Sequence, residues 1–135
     1  MHSTDINLWA VLVAALLNFL IGGLWYSPVL FAKSWQAAAG ISDEQLQAFK
    51  PLKGFGLTFI FSWIISLNLA FFLASPGTNW QWGLTAGVLA GLGWATMIFA
   101  VIALFEQRSW RYILIHGGYI TIYFAAAGAL LGGWG

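Results

Sequence analysis

Four residues late in the chain, Tyr112, His116, Tyr119 and Tyr123, are spaced i, i+4, i+7 and i+11 and so share one helix face. Such a line of polar aromatics can edge a polar crevice or hold a cation over its ring faces. His116 adds an imidazole that titrates near neutrality. The line starts beside Glu106, Arg108 and Arg111. In the competing reading Tyr112 is a membrane-interface residue and the others hydrogen-bond within a bundle. A second unusual run, Trp25-Tyr26-Ser27-Pro28, closes the first long apolar stretch. Neither run supplies a nucleophile–base pair or a phosphate loop. No catalytic residue is therefore assigned. Glu106, His116 and the two arginines are the only groups a lipid-modifying enzyme would have to use.

Composition excludes further chemistry. The chain has no cysteine, which removes disulfides, thiolate metal sites and dithiol redox reactions. His2 and His116 fall at opposite ends of their spans with no acid cluster beside either, so neither a metal nor a cofactor is expected.

The elements that carry these residues are membrane helices. Hydrophobic residues make up 61% of the 135-residue chain and charged residues 7%, against about 25% charged in a soluble domain. Uncharged tracts of membrane-spanning length cover 6–26, 55–74, 82–105 and 112–131. The expected fold is an all-α, integral membrane four-helix bundle forming one domain over 1–135. The small residues Ala37 to Gly40 are similar to a signal-cleavage site. No Lys or Arg precedes the first apolar run, however, and that run is too long for a signal peptide, so it reads as a retained span.

The basic residues Lys33, Lys50, Lys53, Arg108 and Arg111 all lie between spans one and two or between spans three and four. Basic residues in short loops stay on the cytoplasmic side. Both termini are therefore expected outside, with Asp5 before the first span carrying little weight. The basic loops would face anionic headgroups at the inner surface, and no nucleic-acid partner is expected.

Between spans one and two, Ser42 and Gln45 have capping-box spacing, which predicts a short helix over 43–49 ended by Pro51. Ser109 is placed to cap span four. Pro76-Gly77 suits the centre of a type II turn, which makes spans two and three antiparallel neighbours. Spans three and four should also be neighbours. Pro28 should bend the chain so that the segment to Ala39 lies along the interface, with Trp25, Tyr26 and Trp35 in the aromatic belt. Tyr26 or Ser27 is expected to hydrogen-bond the loop from Glu106 to Arg111.

Small residues at four-residue spacing mark each span, and close approach through such residues holds membrane helices together. Gly22, Gly83, Gly87, Gly91 and Gly117 are the leading packing positions, with Ala95 continuing the ridge of span three. That ridge can face a helix of its own chain or a second copy. Asn18, Ser62, Ser66 and Asn68 are the expected buried polar residues, Asn18 either fixing register or meeting a ligand.

The stretch from Asn7 to Trp35 with Gly40 resembles the bacterial domain-of-unknown-function family 1761. The resemblance rests on Leu24 to Pro28, Phe31, Lys33 and Trp35, and on a later block with Phe105, Glu106, Arg108, Gly118 and Tyr119. It implies a small four-span protein of the bacterial inner (plasma) membrane and carries no activity. Three functions remain open. The first is a non-enzymatic scaffold or accessory subunit, as a homo-oligomer or in a larger complex. The second is an oligomeric channel or facilitator for a small neutral or cationic solute. The third is a lipid-modifying enzyme.

Overall fold

A computed structural model describes residues 6–134, so His2 and Asp5 lie outside the described residues. The described chain is helical: α1 (Leu8–Trp25), α2 (Ala32–Ala39), α3 (Asp43–Gln47), α4 (Pro51–Phe72), α5 (Trp80–Ala90), a π-helical turn (Gly91–Thr96), α6 (Met97–Phe105) and α7 (Trp110–Gly133). Four stretches, Leu8–Trp25, Pro51–Phe72, Trp80–Phe105 and Trp110–Gly133, are long and apolar enough to cross a membrane. The protein is an all-α, multi-pass membrane bundle.

Each span starts where the sequence satisfies the free N–H groups of a first turn. Asn7 accepts from the backbone of Trp9 and Ala10, Asn79 from Trp82 and Ser109 from Tyr112. Pro51 itself opens α4, because proline lacks the N–H that a first turn leaves unpaired. The second span therefore begins earlier than the 55 read from hydropathy. The Ser42–Gln45 capping box forms as its spacing predicts. Gly77 has φ 81°, and Thr78 donates to Ser75 across the turn.

The interior is built from small side chains: Ala10, Ala14, Ala70 and Ala127 are wholly buried, while Leu52 and Phe105 stand 92% and 86% exposed. Large residues outside and small ones inside suit a bundle in lipid, where close backbone approach rather than apolar burial joins helices. The closest approach is between α5 and α7. A Cβ at Gly83 would meet the carbonyl of Gly128, and one at Gly87 the carbonyl of Phe124. The glycine ridge of the third span therefore packs within its own chain.

The π-helical turn alters how that ridge continues. A π turn takes one residue more than an α turn, so after Gly91 the contact passes to Thr96 rather than to Ala95. Thr96 is 6% exposed. Its hydroxyl lies 3.3 Å from the Gly117 carbonyl, to which it donates, and 3.3 Å from the Thr121 hydroxyl.

α7 is the hub, packing on α1, α2, α4, α5, the π turn and α6. α4 and α5 follow one another through a short turn but scarcely touch. Phe124 of α7 floors an apolar hollow between them, walled by Leu69 and Phe72 of α4 and by Ala90 and Trp94. The expected pairing of spans two and three is corrected by this arrangement. A short turn limits only the ends of two helices, and beyond it α5 packs on α7 while α4 packs chiefly on α1.

Because the ridge is internal, Gly87→Leu should lower stability by at least about 2 kcal/mol, as overpacking does, read by thermal unfolding in detergent. Gly93→Leu in the same span should change little, since nothing lies within 4 Å of a Cβ there.

Candidate functional site

The Trp-Tyr-Ser-Pro run is built against α7, and each of its residues has a task. Trp25 donates its indole N–H to the Ile115 carbonyl at 2.8 Å. Its ring fills the notch left by Gly118, where a Cβ would come within 2.7 Å of it. The Tyr26 hydroxyl lies 2.6 Å from His116 Nδ1. The Ser27 hydroxyl donates to the Leu24 carbonyl and ends α1. Pro28 sits second in the turn in which Leu30 donates back to Ser27, at a position where its fixed φ fits. The expected bond from Tyr26 or Ser27 to the Glu106–Arg111 loop is corrected: Tyr26 reaches α7 itself and Ser27 stays on its own helix. Trp25 and Tyr26, both half-buried, are tied to α7 by these bonds.

Along α7 the expected polar aromatic face is present, and its members divide. Arg108 stands over the Tyr112 ring, with its guanidinium carbon 5.1 Å from the centroid. The Tyr112 and His116 rings meet edge to face at 4.4 Å. Tyr119 donates to Asn18 Oδ1, and Asn18 Nδ2 donates to the Ser62 hydroxyl at 2.6 Å. Tyr123 bonds the Ser66 hydroxyl and the Ala14 carbonyl. Asn18, Ser62 and Ser66 are buried. Asn68 is not. It is exposed on α4 and turns its amide back to the Ile64 carbonyl, one turn away on its own helix. The burial expected of it is corrected, because α7 meets α4 on the side of Ser62 and Ser66.

Beside this ladder lies a crevice of about 560 Å³ between α1, α4 and α7, roofed by Trp35 of α2 and by Phe49. Tyr26, His116, Tyr119 and Asn18 edge it, with Gly22, Gly23, Phe19, Phe55 and Thr58 forming the remaining walls. Gly22 admits the Tyr119 ring, 3.4 Å from where a Cβ would stand. Gly54 makes room for Phe49 in the same way. Phe19 and Phe55 escaped the sequence reading, since an aromatic in a membrane span is unremarkable alone. Phe49 carried a signal, because with Leu46 it gives the 43–49 segment an apolar side able to cover the end of the bundle.

The model of the protein family of unknown function DUF1761 matches residues 9–132. The chain belongs to this family. No curated protein and no solved structure matches it. In this DUF1761 chain the two motif blocks meet: Trp25 docks on Gly118, Tyr26 reaches His116, and Gly22 receives Tyr119.

Glu106, Arg108 and Arg111 lie outside the crevice. Arg108 donates to the Ala39 carbonyl at the end of α2, with Glu106 4.0 Å from its guanidinium. A cation there complements the negative end of the α2 dipole. Gln107 adopts φ 60°, and Arg108 donates its backbone N–H to Ala103, which turns the chain toward α2. Arg111 is exposed. Among the described residues no three of His, Cys, Asp and Glu gather in one place.

The Trp25–Gly118 fit predicts energetic coupling. Gly118→Ala should destabilise the DUF1761 bundle by about 1 kcal/mol or more in the presence of Trp25. It should cost little in a Trp25→Ala background, in a double-mutant cycle read by denaturation in detergent.

Proposed function

We propose that the protein is a non-enzymatic accessory or scaffold component of the bacterial plasma membrane that acts through helix packing. The observation that carries this reading is the closed half of the bundle at the chain termini. Tyr123 is 2% exposed, and beyond it Ala10, Val11, Leu73 and Leu131 are wholly buried. The crevice therefore ends on Asn18 and Tyr119, and among the described residues no path continues through the single chain. A channel formed within one chain would need that path. The enzymatic reading is weakened by geometry, since Glu106 and Arg111 stand on the surface while His116 is engaged with Tyr26.

The outer faces of the bundle support partner packing. One apolar hollow of about 670 Å³ runs along Trp25, Leu92, Met97 and Trp110. Another, of about 340 Å³, lies between α4 and α5 beside Asn68. A second copy or another membrane protein would seat apolar side chains in these hollows. All five Lys and Arg residues lie in the two loops, which supports a bundle with both termini outside and the loops against anionic headgroups.

Three results follow. A reporter fused to the C-terminus should be active outside the cytoplasm and silent within it. Proteoliposomes should leak small neutral and cationic solutes no faster than empty liposomes. Native mass spectrometry of gently extracted protein should find a second copy or another membrane protein attached. A lone chain throughout would sink the scaffold reading.

A further inference from the structure

The geometry points to a ligand site in the crevice between α1, α4 and α7, fitted to an uncharged amphiphile whose head is a planar ring bearing hydrogen-bonding oxygens, the chemistry of a quinone or quinol. This goes beyond the accessory role and does not depend on it. The volume of about 560 Å³ falls in the range of small-molecule pockets.

Charge sets the first limit on the ligand. No Asp, Glu, Lys or Arg lines the crevice. A charged head would enter without a counter-ion, which is costly away from water. Shape sets the second. Tyr26 meets Trp35 and Tyr119 edge to face at 5.3 and 5.4 Å, and Phe19 meets Phe55 in the same way at 6.1 Å. Flat walls of this kind suit a flat ring, by offset stacking or by edge contact. Gly23 leaves its part of the wall open, with nothing within 4 Å of a Cβ built there.

Hydrogen bonding sets the third limit. The Tyr26–His116 pair works in either tautomer. With the phenol donating to Nδ1, the Tyr26 oxygen keeps lone pairs that accept from a ligand hydroxyl. With Nδ1–H donating, the phenol proton is free for a ligand carbonyl. Thr58 gives its proton to the Gly54 carbonyl at 2.8 Å and retains acceptor capacity. Asn18 has a second amide proton beyond the one given to Ser62. One head that can present either a carbonyl or a hydroxyl matches this set. The apolar rings of Phe19 and Phe55 then lead its tail toward lipid.

The test uses the full chain in detergent, with native mass spectrometry and titration of decylubiquinone. Dioleoylglycerol and dodecyltrimethylammonium serve as a ringless neutral lipid and a cationic amphiphile. One decylubiquinone per chain is expected, bound more tightly than either comparator. Gly23→Phe should fill the crevice and abolish binding while thermal unfolding stays unchanged. Tyr26→Phe removes a single oxygen and should weaken binding about two- to tenfold, as loss of one hydrogen bond does. It decides the matter if Gly23→Phe proves unstable. No binding by the wild type, undiminished binding by the variants, or tighter binding of either comparator would overturn the assignment. Solute flux and partner capture are read separately, so the fate of the accessory role leaves this result intact.

Discussion

The whole bundle depends on two backbones lying against each other. At Gly83 of α5 and Gly128 of α7 no side chain separates the helices, and the carbonyl of each stands where a Cβ of the other would be; at Gly87 the Phe124 carbonyl stands there. Lipid gives no hydrophobic reward for joining two apolar helices, so van der Waals contact at this range must do it. With α5 fixed on one flank of α7, the other flank is free to receive α1 and α4. That flank carries the polar aromatics, and their partners Asn18, Ser62 and Ser66 come from the two arriving helices. Each such bond is worth only about 0.6 kcal/mol in a membrane protein. Together they set register more than stability.

The same architecture decides what the Trp-Tyr-Ser-Pro run is for. It is a clasp between the first and last spans. Trp25 enters a notch made by Gly118, Tyr26 takes the imidazole two residues earlier on α7, and Ser27 with Pro28 turns the chain away. The turn sends α2 back against α7, where Arg108 holds its last carbonyl. The crevice lies beneath this clasp, where Phe19, Phe49 and Phe55 line the space between α1 and α4. The crevice and a fold-defining motif are thus one piece of structure.

Local features were legible in the sequence. The Ser42–Gln45 box, the Ser109 cap and the Pro76-Gly77 turn each involve residues within four positions of each other, so no tertiary knowledge was needed. The shared face of Tyr112, His116, Tyr119 and Tyr123 was legible for the same reason. What each member touches was not. Trp25 and Tyr26 have the composition of belt residues, and amphipathic rings suit an interface and a helix seam equally. The step from Gly91 to Thr96 was hidden because an i+4 pattern continuing to Ala95 gives no sign of a π turn. Asn68 was misjudged because burial depends on which side of α4 meets its neighbours, and it lies on the side away from Ser62 and Ser66.

The central claim is that the third and fourth spans of one chain are joined along this seam, with the π turn setting Thr96 opposite Thr121. The chain has no native cysteine, which makes disulfide trapping direct. In membranes, a Thr96→Cys/Thr121→Cys double variant should oxidise readily within a single chain, running as a monomer with shifted mobility, while Ala95→Cys/Thr121→Cys should cross-link poorly. Cross-linking only between chains, or a preference for the Ala95 pair, would contradict the account.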